Sequence, residues 1–105
     1  LAYAAYRIIE EAVANAEKKA ETTRITVDVQ IRNEYLHISV RDNGEQISIP
    51  FSPGLGLAVI SAFVQKFNGK MSLENNGDEV ELLAELPYRH ETVAEMLNKK
   101  FRGGA

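Results

Sequence analysis

The 105-residue chain contains no cysteine. That excludes a disulfide framework, a thiol nucleophile and a zinc–thiolate site, and it fits a reducing compartment. The chain has no excess of positive charge. Twelve basic residues stand against fifteen acidic ones, for a formal charge of −3, so the basic footprint of a nucleic-acid binder is missing. Its apolar runs fall far short of the ~20 residues of a membrane-spanning helix. No N-terminal stretch has the charged, apolar and small-residue order of a secretory signal. What remains, 45% apolar and 26% charged residues, is the composition of one small soluble domain. A chain of this length buries roughly two-thirds of its unfolded surface, enough for one core and not two. It opens at Leu1 directly into a helical pattern, without an initiator Met. We therefore expect a piece of a longer protein.

Apolar positions with a 3.6-residue period predict a first helix over 2–20, with Ala5, Ile9, Ala12, Val13, Ala16 and Ala20 on the inner arc. A second arc, Glu10, Glu17 and Glu21, faces solvent. Glu11, Asn15 and Lys18 form a third. Two alternating stretches follow. Ile25, Val27, Val29 and Ile31 predict a half-buried strand, and Leu36, Ile38 and Val40 predict its antiparallel partner across an Asn33-Glu34 turn. Residues 42–56 break the pattern with Asp42-Asn43-Gly44, two prolines and two further glycines, and loops this long in small domains are mobile or functional. A second helix is expected over 57–67, ended by Asn68-Gly69. Strands over 70–75 and 79–86 surround the turn Asn75-Asn76-Gly77-Asp78, and Pro87 stops the second strand. A third helix is expected over 91–101, with Val93, Met96, Leu97 and Phe101 apolar, before a frayed tail. The order α-β-β-loop-α-β-β-α indicates an α+β two-layer sandwich and not a doubly wound fold.

Three features carry candidate chemistry. Gly54-Leu55-Gly56 stands before the second helix. Such a sequence either reverses the chain or places unpaired backbone N–H groups where an anion can bind. Glu11, Asn15 and Lys18 project together from the first helix. They are either a solvated face or the oxygen and ammonium groups that a hard cation and a polyphosphate require. Asp42, at a strand end, either makes an Asx-turn or accepts an amine such as the exocyclic amine of adenine.

The joint order of these features resembles the GHKL ATPases, the family of gyrase, the large chaperone, histidine kinases and mismatch-repair ATPases. Glu11-Ala-Val-Ala-Asn15-Ala-Glu-Lys18 resembles the N box and Asp42-Asn43-Gly44 the first glycine box. Gly54-Leu55-Gly56-Leu57, running on to Asn68-Gly69-Lys70, resembles the second glycine box and following helix of sensor histidine kinases. The resemblance implies a Bergerat-type fold, a mixed and mostly antiparallel sheet covered on one face by helices, with ATP bound between the layers. It implies that Asn15 ligates Mg²⁺ and that Glu11 orients water or the phosphoryl acceptor. Lys18 would approach the phosphates, Lys19 would stand beside the nucleotide, and Asp42 would read the adenine amine with Gly44 allowing close approach. Gly54, Leu55, Gly56 and Leu57 would wrap the phosphates. The reaction implied is γ-phosphoryl transfer to a histidine, largely a matter of positioning and charge neutralisation.

By the same resemblance, residues 1–89 form the ATP-binding domain, and 90–105 add a C-terminal helix and tail. That helix either packs on the sheet edge or offers a surface to a response regulator or second subunit. His37 and His90 read as ordinary surface or cap residues, so the acceptor histidine is expected on a separate dimerisation and phosphotransfer domain. The partners implied are that domain and a response regulator, with no nucleic acid and no direct membrane contact, on the cytoplasmic side of the cell. Several positions depart from the family. Lys19 stands where His or Tyr is common, Gln46 where a second glycine is usual, and Val80 where a threonine lies near the adenine. Only nine residues, 45–53, separate Gly44 from Gly54, which leaves a short lid with Phe51 as its lone aromatic. These departures keep two other readings open: a serine kinase of the anti-sigma-factor type, and a binding module of the same fold that has lost its nucleotide.

Overall fold

A computed structural model describes residues 1–46 and 55–88, with the side chain of Leu55 left out. The expected third helix, the C-terminal boundary, Phe51, Gly54 and His90 lie outside the described residues. Helix α1 spans Ala2–Lys18 and α2 spans Leu55–Lys66. The strands are β1 Ile25–Arg32, β2 Tyr35–Asp42, β3 Lys70–Asn76 and β4 Glu79–Pro87. They form one sheet in the order β1-β2-β4-β3, and its three pairings are all antiparallel. The expected α+β two-layer architecture is present. No parallel pairing occurs among the described residues, so the mixed character implied by the family is not seen there.

Strand alternation places the core. Leu36, Ile38 and Val40 of β2 and Val80, Leu82, Ala84 and Leu86 of β4 are buried beneath the helices. The opposite face carries His37, Ser39, Arg41, Glu81 and Glu85, all half-buried. There the Ser39 hydroxyl donates to Glu81 at 2.7 Å, and His37 Nδ1 lies 3.6 Å from Glu85. Ile60 and Val64 of α2 and Ile8 of α1 close the core from above.

Two expectations shift. The buried stripe of α1 is Ala4, Ile8, Ala12 and Ala16, with Ala5, Ile9 and Val13 half-buried on its flank. The stripe is therefore turned toward Asn15, which shares its edge. Ala20 is exposed because the helix has already ended. Strand β1 is less buried than its alternation suggests. Val27, Val29 and Ile31 are 42%, 47% and 58% exposed. Helix α1 lies over β2 and touches β1 less, so among the described residues this strip is only partly covered.

The connections follow local chemistry. Asn33 and Glu34 both have positive φ, 51° and 64°, the pattern of a type I′ hairpin turn. Asn tolerates this region and Glu does not, so Glu34→Gly is expected to raise stability by about 0.5–1 kcal/mol in urea unfolding. The backbone hydrogen bond there, Tyr88 N–H donating to the Glu34 carbonyl at 2.7 Å, survives the change. Helix α2 ends with Asn68 left-handed at φ 57° and Gly69 N–H donating to the Val64 carbonyl at 2.8 Å. Gly69 itself is required by space, since a Cβ there would stand 2.5 Å from the Glu85 carbonyl oxygen.

Candidate functional site

Asp42 continues the inward alternation of Leu36, Ile38 and Val40, and only 5% of it is exposed. It is therefore a strand residue on the core face, one step beyond the stretch whose alternation predicted the strand. Its Oδ1 accepts the Gly44 N–H at 3.0 Å and the Lys19 ammonium at 2.8 Å. Among the described residues Oδ2 accepts no hydrogen bond. Val80, directly opposite on β4, is buried and contributes an apolar wall.

The neighbouring turn is tied to the connection between α1 and β1. Asn43 Oδ1 accepts the backbone N–H groups of Thr23 and Arg24 at 3.0 and 2.9 Å, and its amide donates to the Thr23 hydroxyl at 2.8 Å. Glu45 N–H donates to the Ala20 carbonyl at 3.0 Å. Gly44 is buried, and a Cβ on it would lie 2.0 Å from Thr22 Oγ1. Its glycine makes room for this chain's own connection. The Thr22 hydroxyl is buried and finds no partner among the described residues, an unmet polar group of the kind that a ligand or water satisfies. Gln46, which departs from the family pattern, donates to the Gly77 carbonyl at 2.6 Å and ties the start of the long loop to the β3–β4 turn.

Helix α1 brings the second group of residues. At Lys19 the backbone leaves the helix, with φ −75° and ψ 144°, and the side chain turns to Asp42. Lys18, one residue earlier, remains exposed. Asn15, one turn before Lys19, is half-buried, and its side-chain amide makes no hydrogen bond with a described residue. Gly56, in the first turn of α2, packs on it: a Cβ at residue 56 would lie 2.8 Å from Asn15 Oδ1 and 3.1 Å from Nδ2. The amide therefore sits in a cradle that only glycine leaves open, beside the positive end of α2. Glu11 lies on the same face and is held by Arg7 Nη2 at 2.9 Å. Arg7 also grips Glu10, which accepts the Tyr6 hydroxyl at 3.0 Å. The bond to Glu10 raises the Arg7 guanidinium above its usual range, and the same carboxylate raises the Tyr6 phenol. Leu55 opens α2, and Leu57 packs its side chain against the core, so Leu57 acts as a packing residue of the helix.

Asp42, Gly44 and Lys19 thus meet at the end of β2, and Asn15 meets Gly56 one turn of α1 away, about 6 Å along the axis. The profile of the family described as "Histidine kinase-, DNA gyrase B-, and HSP90-like ATPase" matches residues 2–90. The chain belongs to this family. Among its relatives, the signal transduction histidine-protein kinase/phosphatase DegS of Bacillus subtilis strain 168 is 29% identical over 77 residues, 69% of this chain and 20% of that protein. The chain thus spans about a fifth of the length of that relative. The ATP-binding domain of PrrB from Mycobacterium tuberculosis superposes with a TM-score of 0.66 at 27% identity, covering 79% of this chain and 66% of that one. The Acinetobacter baumannii histidine kinase AdeS shares the fold with a TM-score of 0.70 at 19% identity, over 80% of this chain and 45% of that one.

Within this ATPase family frame, three site features escaped the sequence reading. The Lys19–Asp42 ion pair joins residues 23 positions apart, and no local pattern announces it. The Thr22 orphan hydroxyl and the Gln46 tether depend equally on how the connections fold. The burial of Asp42 had a signal: one more step of the β2 alternation puts a carboxylate on the apolar face.

Proposed function

We propose that this chain is the nucleotide-binding catalytic module of a sensor histidine kinase. It binds ATP with Mg²⁺ and presents the γ-phosphoryl group to a histidine on a separate dimerisation and phosphotransfer domain, from which a response regulator is served. The observation that carries this reading is the buried Asp42 carboxylate, pinned through one oxygen and open at the other, one helical turn from an untied Asn15 amide. Family membership and the histidine kinase relatives support it. The chain would act on the cytoplasmic side of such a sensor. Among the described residues no helix is long and apolar enough to cross a membrane.

Each residue has a task on this reading. Asp42 Oδ2 accepts the exocyclic amine of adenine. Val80 offers the base an apolar wall, and the Thr22 hydroxyl offers it, or a bridging water, a polar partner. Asn15 presents a hard amide oxygen, the donor type Mg²⁺ takes, and its cradle against Gly56 keeps that oxygen free. Mg²⁺, once bound there with the phosphates, supplies charge neutralisation for phosphoryl transfer. The N-terminus of α2, with Gly54 before it, offers backbone N–H groups to phosphate oxygens. Lys18 adds a positive charge at the end of α1. Glu11, steadied by Arg7, orients the acceptor imidazole.

Thermal unfolding with Mg²⁺–ATP, Mg²⁺–ADP and Mg²⁺ alone tests the binding step. A ligand of the folded state adds about 2.7 kcal/mol at a hundred times its dissociation constant. The expected result is a rise specific to adenine nucleotides and dependent on Mg²⁺. No rise at several millimolar nucleotide overturns the proposal in favour of a module that has kept the fold and lost the ligand.

A further inference from the structure

The charge of Lys19 is directed at Asp42. Its ammonium lies 2.8 Å from Oδ1, and the same oxygen takes the Gly44 N–H at 3.0 Å. The pair is sequestered, with 8% of the Asp42 side chain and 22% of the Lys19 side chain exposed. Charge-assisted bonds of this kind are short, strong and little screened when removed from solvent. A lone carboxylate turns readily about its terminal torsion, which is broad and two-fold. Two donors converging on a single oxygen stop that rotation. Oδ2 accepts no hydrogen bond from any described residue.

The backbone is arranged for this contact. Helix α1 stops at Lys18, and residue 19 is extended. Gly44 meets Asp42 from the other side, held by its close fit to the α1–β1 connection. Both donors thus belong to segments tied to the end of β2.

We propose that Lys19 is a positioning residue for base recognition. With the Gly44 N–H it fixes Asp42 Oδ1, so that Oδ2 is presented as a pure acceptor to the amine of an adenine ring. This rests on the nucleotide-binding reading above. Lys19 acts through Asp42 and leaves the phosphates to other groups. A fixed acceptor favours a 6-amino purine, which donates at that position, over a 6-oxo purine, which cannot.

The test is calorimetric titration of the 105-residue chain with adenosine, guanosine and Mg²⁺–ADP. The variants are K19M, D42N and the double variant, each with its unfolding midpoint measured without ligand. A lost charge-assisted bond predicts that K19M weakens adenosine and ADP alike, by about tenfold, and narrows the preference over guanosine. In the D42N background K19M is expected to add almost nothing, because its route to the base is gone. If K19M depopulates the folded state, K19R supplies the comparison and must bind adenosine within a few-fold of wild type. Weakened ADP with unchanged adenosine would overturn the proposal and give Lys19 to the phosphates. Tighter adenosine binding by K19M would overturn it by making Lys19 an obstacle. A lower unfolding midpoint with unchanged affinity of the folded protein would leave the pair purely structural, and this too overturns it. If wild type binds neither ADP nor adenosine at millimolar concentration, the nucleotide-binding reading itself falls. In every other case that reading stands and only the role of Lys19 is decided.

Discussion

Gly56→Ala is expected to leave folding stability unchanged or slightly higher and to weaken Mg²⁺–ADP binding by roughly a hundredfold, the scale of an ångström-level misplacement at a site. The two effects separate because the three atoms nearest the new methyl group, among the described residues, all belong to one side chain. A Cβ at residue 56 would approach Asn15 Oδ1 to 2.8 Å, Nδ2 to 3.1 Å and Cγ to 3.2 Å. All three are the far end of a side chain that can rotate away, so the helix pair need not part. Within a helix, alanine is better than glycine by about 0.5–1 kcal/mol, which offsets the rotation. The amide, however, leaves the place beside the α2 N-terminus where it would share a cation with the phosphates. Urea unfolding and calorimetry on the same preparation separate the two quantities. A stable variant with wild-type affinity would remove Asn15 from the site.

Ile38→Ala is expected to cost about 2–5 kcal/mol, while Val29→Ala costs less than about 1 kcal/mol. Both are β-branched residues on the helix-bearing face of adjacent strands, and they pair directly across β1 and β2. Ile38 has no exposed surface and touches the central cluster with Ile8, Ile60 and Leu82. Its removal leaves a cavity as well as lost burial. Val29 is 47% exposed on the edge strand, and its truncation opens nothing. Equal losses would mean that β1 is covered as fully as β2 in solution.

Much of this fold was legible in the chain. Periods of 3.6 and 2 are properties of neighbouring residues, and they marked both helices and all four strands among the described residues. The turns at Asn33-Glu34 and Asn68-Gly69 were equally local, because Asn and Gly tolerate positive φ, and the turn expected over Asn75-Asn76-Gly77-Asp78 narrowed to its last two residues, since β3 runs through Asn76. Boundaries slipped by a residue or two where long-range contacts decide them. Helix α1 ends at Lys18, ahead of residue 20, and α2 begins at Leu55, ahead of residue 57. The site was legible as candidates only. Asn15, Asp42, Gly44 and Gly56 were named from motif order, and the structure brings them together in two adjoining groups. Leu57 was named with them, and its side chain packs against the core.

By itself the sequence determined the element order, the two-layer class, the family motifs and the absence of thiol chemistry, since each depends on residue type and short spacing. The tertiary structure alone decided how fully each apolar strip is covered, because that depends on α1 lying more over β2 than over β1. It alone paired Lys19 with Asp42, and it alone set Gly56 against Asn15. Those contacts join residues 23 and 41 positions apart. The chain reaches such separations only when the packing of the core has fixed where each element stands.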